Sequence, residues 1–153
     1  MHYKKIFRIS AKAILESIVA FLVFIFLYTG LSKYLNFAQF KATLGESPML
    51  AGYKNFVALF LPGIEIATVI ILIWPKTRLL GLYVSLTLLS MFTLYLIYMV
   101  NFDPKLPCSC GGIIGQLNWR QHIVFNLILL LSNIVAIRIG RGFASNGSTV
   151  VAG

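Results

Sequence analysis

Residues 79–100 read LLGLYVSLTLLSMFTLYLIYMV, twenty-two positions without one charged side chain. An α-helix crosses the hydrocarbon core of a bilayer with roughly 20 apolar residues, so this stretch is long enough to span one. Directly before it stands Pro75-Lys76-Thr77-Arg78, and before that a second apolar run, 56–74, whose single charge is Glu65. A four-residue connection leaves room only for a tight turn, which makes the two helices antiparallel neighbours. Runs at 13–31, with no charge after Glu16, and 121–139, ending at Arg138, complete a set of four.

The sequence therefore predicts an all-α membrane protein, a four-transmembrane-helix bundle. Residues 1–141 form a single domain and 142–153, with its Gly and Ser residues, a flexible cytoplasmic tail. Composition supports this reading: 59% of the 153 residues are hydrophobic and 11% charged, with a mean hydropathy of +0.88. Soluble domains are about 25% charged, and disordered chains lack this hydrophobicity. The formal charge of +9 comes from 13 Lys and Arg against 4 Asp and Glu. These bases lie between apolar runs rather than on one soluble face, so no nucleic-acid partner is expected. The basic stretch before the first run resembles the start of a signal peptide. The apolar run is longer than the 7–15 residues of a cleaved segment, however, and continues into Tyr28-Thr29-Gly30-Leu31-Ser32-Lys33, so an uncleaved span is expected.

Orientation follows from the bases in short loops. Lys4, Lys5, Arg8, Lys12, Lys76, Arg78, Arg138 and Arg141 put eight on one side; Lys33, Lys41, Lys54, Lys105 and Arg120 put five on the other. Both termini are expected in the cytoplasm, and the 33–53 and 101–120 loops outside, in the periplasm for a bacterial inner membrane. In the first of these loops Tyr34, Phe37, Phe40 and Leu44 form an apolar stripe. It ends at Gly45-Glu46-Ser47-Pro48, a helix terminator. A short amphipathic helix in the outer interface is predicted, as a lid over the bundle or as a docking surface.

The two cysteines fall in the second outer loop, in Pro107-Cys108-Ser109-Cys110-Gly111-Gly112. On the outer face disulfides persist. A bridge between neighbours at i and i+2 requires backbone strain, and strained, exposed disulfides are the labile, oxidising ones. So small a ring also removes little chain entropy, which argues against a simple staple. A redox-active dithiol, a passive disulfide and a Cu or Zn thiolate site all remain open; against metal, two thiolates and one nearby imidazole fall short of a closed site.

Trp119, His122, Asn126 and Asn133 recur at helical spacing at the start of the fourth span, one face that should turn inward. His122 would then sit one turn below the cysteine loop, able to stabilise a thiolate and accept its proton, or it is a hydrogen-bonded interfacial histidine. Glu65 lies roughly 13 Å below Phe56 at the helical rise. An intramembrane carboxylate marks a functional site by default. The expected partners are Asn126 or Thr68, and the expected role is a proton relay or a bond to a quinone or lipid headgroup, or else a buried interhelical hydrogen bond. Glu16 is expected to pair with Lys12. Tyr83, Thr87, Ser90 and Tyr98 of the third span are expected to serve interhelical packing.

These elements resemble the MauE/DoxX-like family of small four-helix membrane proteins, in particular a redox-associated branch common in Bacteroidetes. The likeness is carried by residues 28–33, Glu46-Ser47-Pro48, Pro62 with Glu65, 78–83, the PCSCGG motif at 107–112, and Trp119 through His122 to Phe125-Asn126. MauE is tied to maturation of methylamine dehydrogenase, whose periplasmic subunit acquires many disulfides, and the resemblance implies redox work with thioredoxin-like partners. A looser likeness to quinone-coupled thiol oxidases of the DsbB and VKOR type implies a relay; with one cysteine pair instead of two, that relay must be shorter.

The leading expectation is a membrane thiol–disulfide exchange protein. Cys108 and Cys110 would be the exchanging pair, His122 would poise the thiolate, and Arg120 would attract the partner or quinone. Glu65 and Asn126, with Trp119 on the same stripe, would line the way to the acceptor. The rival expectation is a non-catalytic membrane subunit of a larger envelope complex, docked through the cysteine loop and the amphipathic helix.

Overall fold

The computed structural model describes residues 2–47, 49–102 and 119–148, and their regular elements are all helical. Helix α1 covers His2–Leu35, α2 Phe37–Glu46, α3 Lys54–Ile73, α4 Arg78–Phe102 and α5 Trp119–Ser148, with a 3-10 turn at Ala51–Tyr53 leading into α3. Four segments are long and apolar enough to cross a membrane: Ile9–Leu35, Ala51–Ile73, Arg78–Asn101 and Arg120–Phe143. The four-span bundle expected from the sequence is thus the fold, and its outward face meets lipid.

Around the bundle, α1 packs against α3 and α5, and α4 packs against the same two. The core stripe of α1 is Leu15, Val19, Leu22 and Phe26, recurring every three or four residues. It meets Val69 and Leu72 of α3, Leu82 and Leu89 of α4, and Leu129, Ala136 and Ile137 of α5. Large apolar side chains on the other faces, among them Phe24, Leu59, Leu80 and Leu131, point outward, as expected where the surrounding solvent is itself hydrocarbon.

The bundle is tightest near the α3–α4 turn. A Cβ placed on Gly81 would come 3.0 Å from the backbone nitrogen of Leu72 and 3.1 Å from the carbonyl carbon of Ile71. Those are backbone atoms and cannot swing aside, so Gly81→Leu should force α4 off α3 and cost about 1–3 kcal/mol, the usual range for overpacking. Thermal unfolding in detergent micelles would show it as a lowered Tm. Gly63→Ala, with nothing within 4 Å of the added carbon, should leave Tm unchanged or raise it, since Ala is the better helix former.

Glu16 bonds Arg78 across the bundle, Arg78 Nη1 donating to Glu16 Oε1 at 2.7 Å, rather than Lys12 on its own helix. The turn after α3 carries Arg78 back over α1, a tertiary placement that sequence spacing does not reveal. Of the polar α4 positions expected to serve interhelical packing, Ser90 and Tyr98 are half-buried while Tyr83 and Thr87 are exposed, and Thr87 Oγ1 donates to Tyr83 O and Ser90 Oγ to Leu86 O within the helix. Bonds from α4 to other segments include Ser85, which meets Asn133 at 2.7 Å, and Tyr95, whose hydroxyl donates to Ser47 Oγ at 3.2 Å.

The amphipathic helix of the first outer loop is α2. It ends at Glu46 with an extended Ser47 behind it, in the Gly-Glu-Ser-Pro segment that predicted its stop. Phe40 and Leu44 pack on Ala58 of α3, so α2 lies against the bundle as a lid. The predicted stripe is only half used: Phe37 is exposed, and Tyr34, also exposed, belongs to α1.

Candidate functional site

Helix α1 outlasts the predicted first span by a full turn. Lys33, expected in the outer loop, is therefore helical, and it falls seven residues after Phe26 on the inward stripe. Its side chain is buried, and Nζ lies 2.5 Å from Oε1 of Glu65, which is 0% exposed. The buried carboxylate thus pairs with a cation on the neighbouring helix, not with Asn126 or Thr68; Thr68 Oγ1 donates to Ile64 O instead. Gly30, one turn before Lys33, makes the contact possible, since a Cβ there would stand 3.3 Å from Glu65 Cβ.

The pair is neutral as a unit but not saturated. Oε2 of Glu65 has no hydrogen-bond partner among the described residues. Among the described residues Lys33 Nζ gives one hydrogen bond, to Glu65, and it lies 5.3 Å from the ring centroid of Phe92 and 5.9 Å from that of Phe40. Aromatic faces within about 6 Å attract an ammonium, yet they leave its remaining N–H groups able to donate to an oxygen.

Both residues line a cavity of about 650 Å³ that runs among all five helices. Its wall is mostly apolar: Phe26 of α1, Phe40 of α2, Phe56 and Phe60 of α3, Phe92 of α4 and Phe125 of α5. A few polar groups converge on it, notably Lys33, Glu65, Tyr95, His122 and Asn126. A large apolar pocket with a few convergent polar groups is the usual form of a small-molecule site. His122 reaches it from the first turn of α5 and is 2% exposed; Asn126, one turn on, is half-buried.

Of the residues singled out in the sequence, Glu65, His122 and Asn126 are thus brought to one cavity. Arg120 is not: it is exposed and borders a separate shallow depression with Gln121 and Val124. Cys108, Cys110 and the Trp119 side chain lie outside the described residues. Lys33 is the residue the sequence reading missed, and its signal was its register, a lysine on the core stripe of Leu15, Val19, Leu22 and Phe26.

No curated protein and no solved structure matches the chain. A family model does: the one described as methylamine utilisation protein MauE covers residues 11–139. That segment takes in the two middle spans whole and nearly all of the first and fourth, together with α2, both members of the ion pair and the cysteine motif. The chain belongs to the MauE family, as a multi-pass membrane protein of a group linked by its description to methylamine utilisation.

Proposed function

We propose that this chain is an inner-membrane thiol–disulfide redox protein of the redox-associated branch, passing electrons between a periplasmic dithiol partner, thioredoxin-like or another envelope protein, and a membrane acceptor. In the first step a thiolate of the partner attacks the Cys108–Cys110 disulfide, and the partner's second thiol completes the exchange. The partner leaves oxidised, with Cys108 and Cys110 as two thiols. In the second step these thiols give up two electrons and two protons, and their disulfide re-forms. The acceptor is a lipid-soluble quinone, which takes up both and leaves as the quinol.

The observation that carries this reading is the cavity. His122, twelve residues beyond Cys110 in the sequence, is in its wall. The cavity runs to a buried pair able to hold protons and hydrogen-bond an oxygen. His122 is suited to take the thiol proton, Asn126 to orient a carbonyl, and exposed Arg120 to attract the partner. The burial of Lys33 also sharpens the topology argument: with it removed from the loops, the basic count becomes eight against four, 5 − 1 = 4, in favour of cytoplasmic termini.

The test is disulfide transfer in proteoliposomes. Cys108→Ala/Cys110→Ala should abolish oxidation of a periplasmic dithiol substrate while leaving the thermal unfolding of the bundle unchanged; unchanged transfer would refute the reading. One observation favours the rival role of a non-catalytic subunit: Leu35, Met49 and Tyr53 form an exposed apolar rim around α2. Redox titration separates the two, because a structural bridge has a potential below about −300 mV and an exchanging one lies well above it.

A further inference from the structure

The cavity is not closed on all sides. Phe56, Phe60 and Ile64 of α3 and Met91 and Leu94 of α4 line it, yet each is 43–67% exposed on the outer surface of the bundle. They are the facing halves of an antiparallel pair that is pinned together at Gly81 and Leu72. From that contact the two helices run to far halves whose side chains both line the cavity and are exposed on the outside, a cleft set within the spans Ala51–Ile73 and Arg78–Asn101.

We infer that this cleft is a lateral portal for a lipid-soluble ligand with a neutral, oxygen-bearing ring, and that Lys33 is the group that binds the ring oxygen. The inference deepens the acceptor half of the proposed function. Three features select the ligand class. The walls offer aromatic faces, Phe26, Phe92 and Phe125 among them, against which a planar ring stacks. The polar end carries no net charge, because Lys33 is already neutralised by Glu65; a phosphate headgroup would find no unopposed cation there. What it does offer is N–H donors from Lys33, beyond the one given to Glu65. An apolar tail then passes between α3 and α4, beside the exposed Phe60 and Met91, into the bilayer. A quinone with an isoprenoid or alkyl tail has all of these properties; a phospholipid shares only the tail.

The experiment uses the full chain in nanodiscs and two photoreactive probes, a decyl-quinone and a phosphatidylcholine, each carrying its diazirine on the alkyl chain. The quinone probe should label α3 and α4 peptides that contain Phe60 and Met91, saturably, and be displaced by unlabelled decyl-ubiquinone. Lys33→Met/Glu65→Met, which removes both charges together, should weaken that displacement at least tenfold. Unsaturable labelling, an affinity within twofold of wild type in the double variant, or displacement by phosphatidylcholine as effective as by the quinone would overturn the inference. Should the double variant fail to fold, the wild-type labelling pattern and the phosphatidylcholine competition still decide. Quinone binding in a protein without thiol transfer would uphold this site and refute the redox reading alone.

Discussion

Lys33→Met should be the most damaging single substitution in the bundle. It leaves Glu65, 0% exposed, without the cation that its Oε1 bonds, and its second oxygen has no partner among the described residues to begin with. Breaking a buried ion pair from one side costs about 3–5 kcal/mol, because the remaining charge is stranded in a low-dielectric interior. Replacing both partners is different. An apolar pair of similar volume forgoes the Coulomb attraction but also the desolvation of two charges, and such replacements are often neutral or stabilising. Lys33→Met/Glu65→Met should therefore recover most of the loss. Unfolding titrations in mixed detergent micelles would give the four corners of the double-mutant cycle. If the two single losses simply add in the double variant, Lys33 and Glu65 are not coupled and the pair is not what joins α1 to α3 here.

Recovery in the double variant would also bear on why the pair exists. Buried pairs are weak contributors to stability compared with apolar packing, and the core of this protein could continue past Phe26 with another leucine at position 33. A lysine kept there at a cost, with donors directed into a cavity, is better explained by what the cavity holds than by what the bundle needs. Strain and unsatisfied polarity concentrate where a protein departs from its simplest packing.

What the sequence shows here divides along a physical line. Runs of about 20 apolar residues define spans because the bilayer sets one length scale, so the four spanning helices are legible from 13–31, 56–74, 79–100 and 121–139, and the four-residue turn from the gap between the middle two. The end of α1 is not. Its apolar run stops at Leu31, but a helix ends where its hydrogen bonds end, and those persist to the end of the turn, where Asn36 N still donates to Ser32 O and Lys33 alone of these side chains is buried. For that reason a positive charge beside a span reads as a loop marker, although Lys33 continues the stripe of Leu15, Val19, Leu22 and Phe26. Conversely, Glu65 was recognised as buried from the hydrophobicity around it, while its partner depended on which helices touch. Periodicity within one helix does not supply that. The same holds for Glu16, whose bond to Arg78 is made across the bundle. His122 and Asn133 were placed inward correctly, since a polar stripe at helical spacing in an apolar span has only one side on which to find partners.

His122→Leu should separate the two half-reactions of the proposed cycle. The side chain lies in the cavity wall at the first turn of α5 and is nearly fully buried, so its work falls on the acceptor side, where the thiol protons must leave as the electrons do. A positioned proton acceptor contributes about 10²–10⁴-fold to such a step. Reoxidation of the reduced Cys108/Cys110 pair by decyl-ubiquinone should slow at least a hundredfold in the variant. Exchange between the oxidised pair and a small dithiol, which meets the cysteines from the water, should stay within about threefold of wild type. Leucine fills a similar apolar volume, so the bundle should remain folded, and an unchanged Tm in detergent would confirm that the slow step is chemical. His122→Gln, which keeps a hydrogen-bonding group but no imidazole, should be as slow as His122→Leu if proton transfer is the role. Should it instead restore the rate, His122 orients the acceptor and does not move the proton. Equal slowing of both half-reactions would remove His122 from the acceptor step altogether.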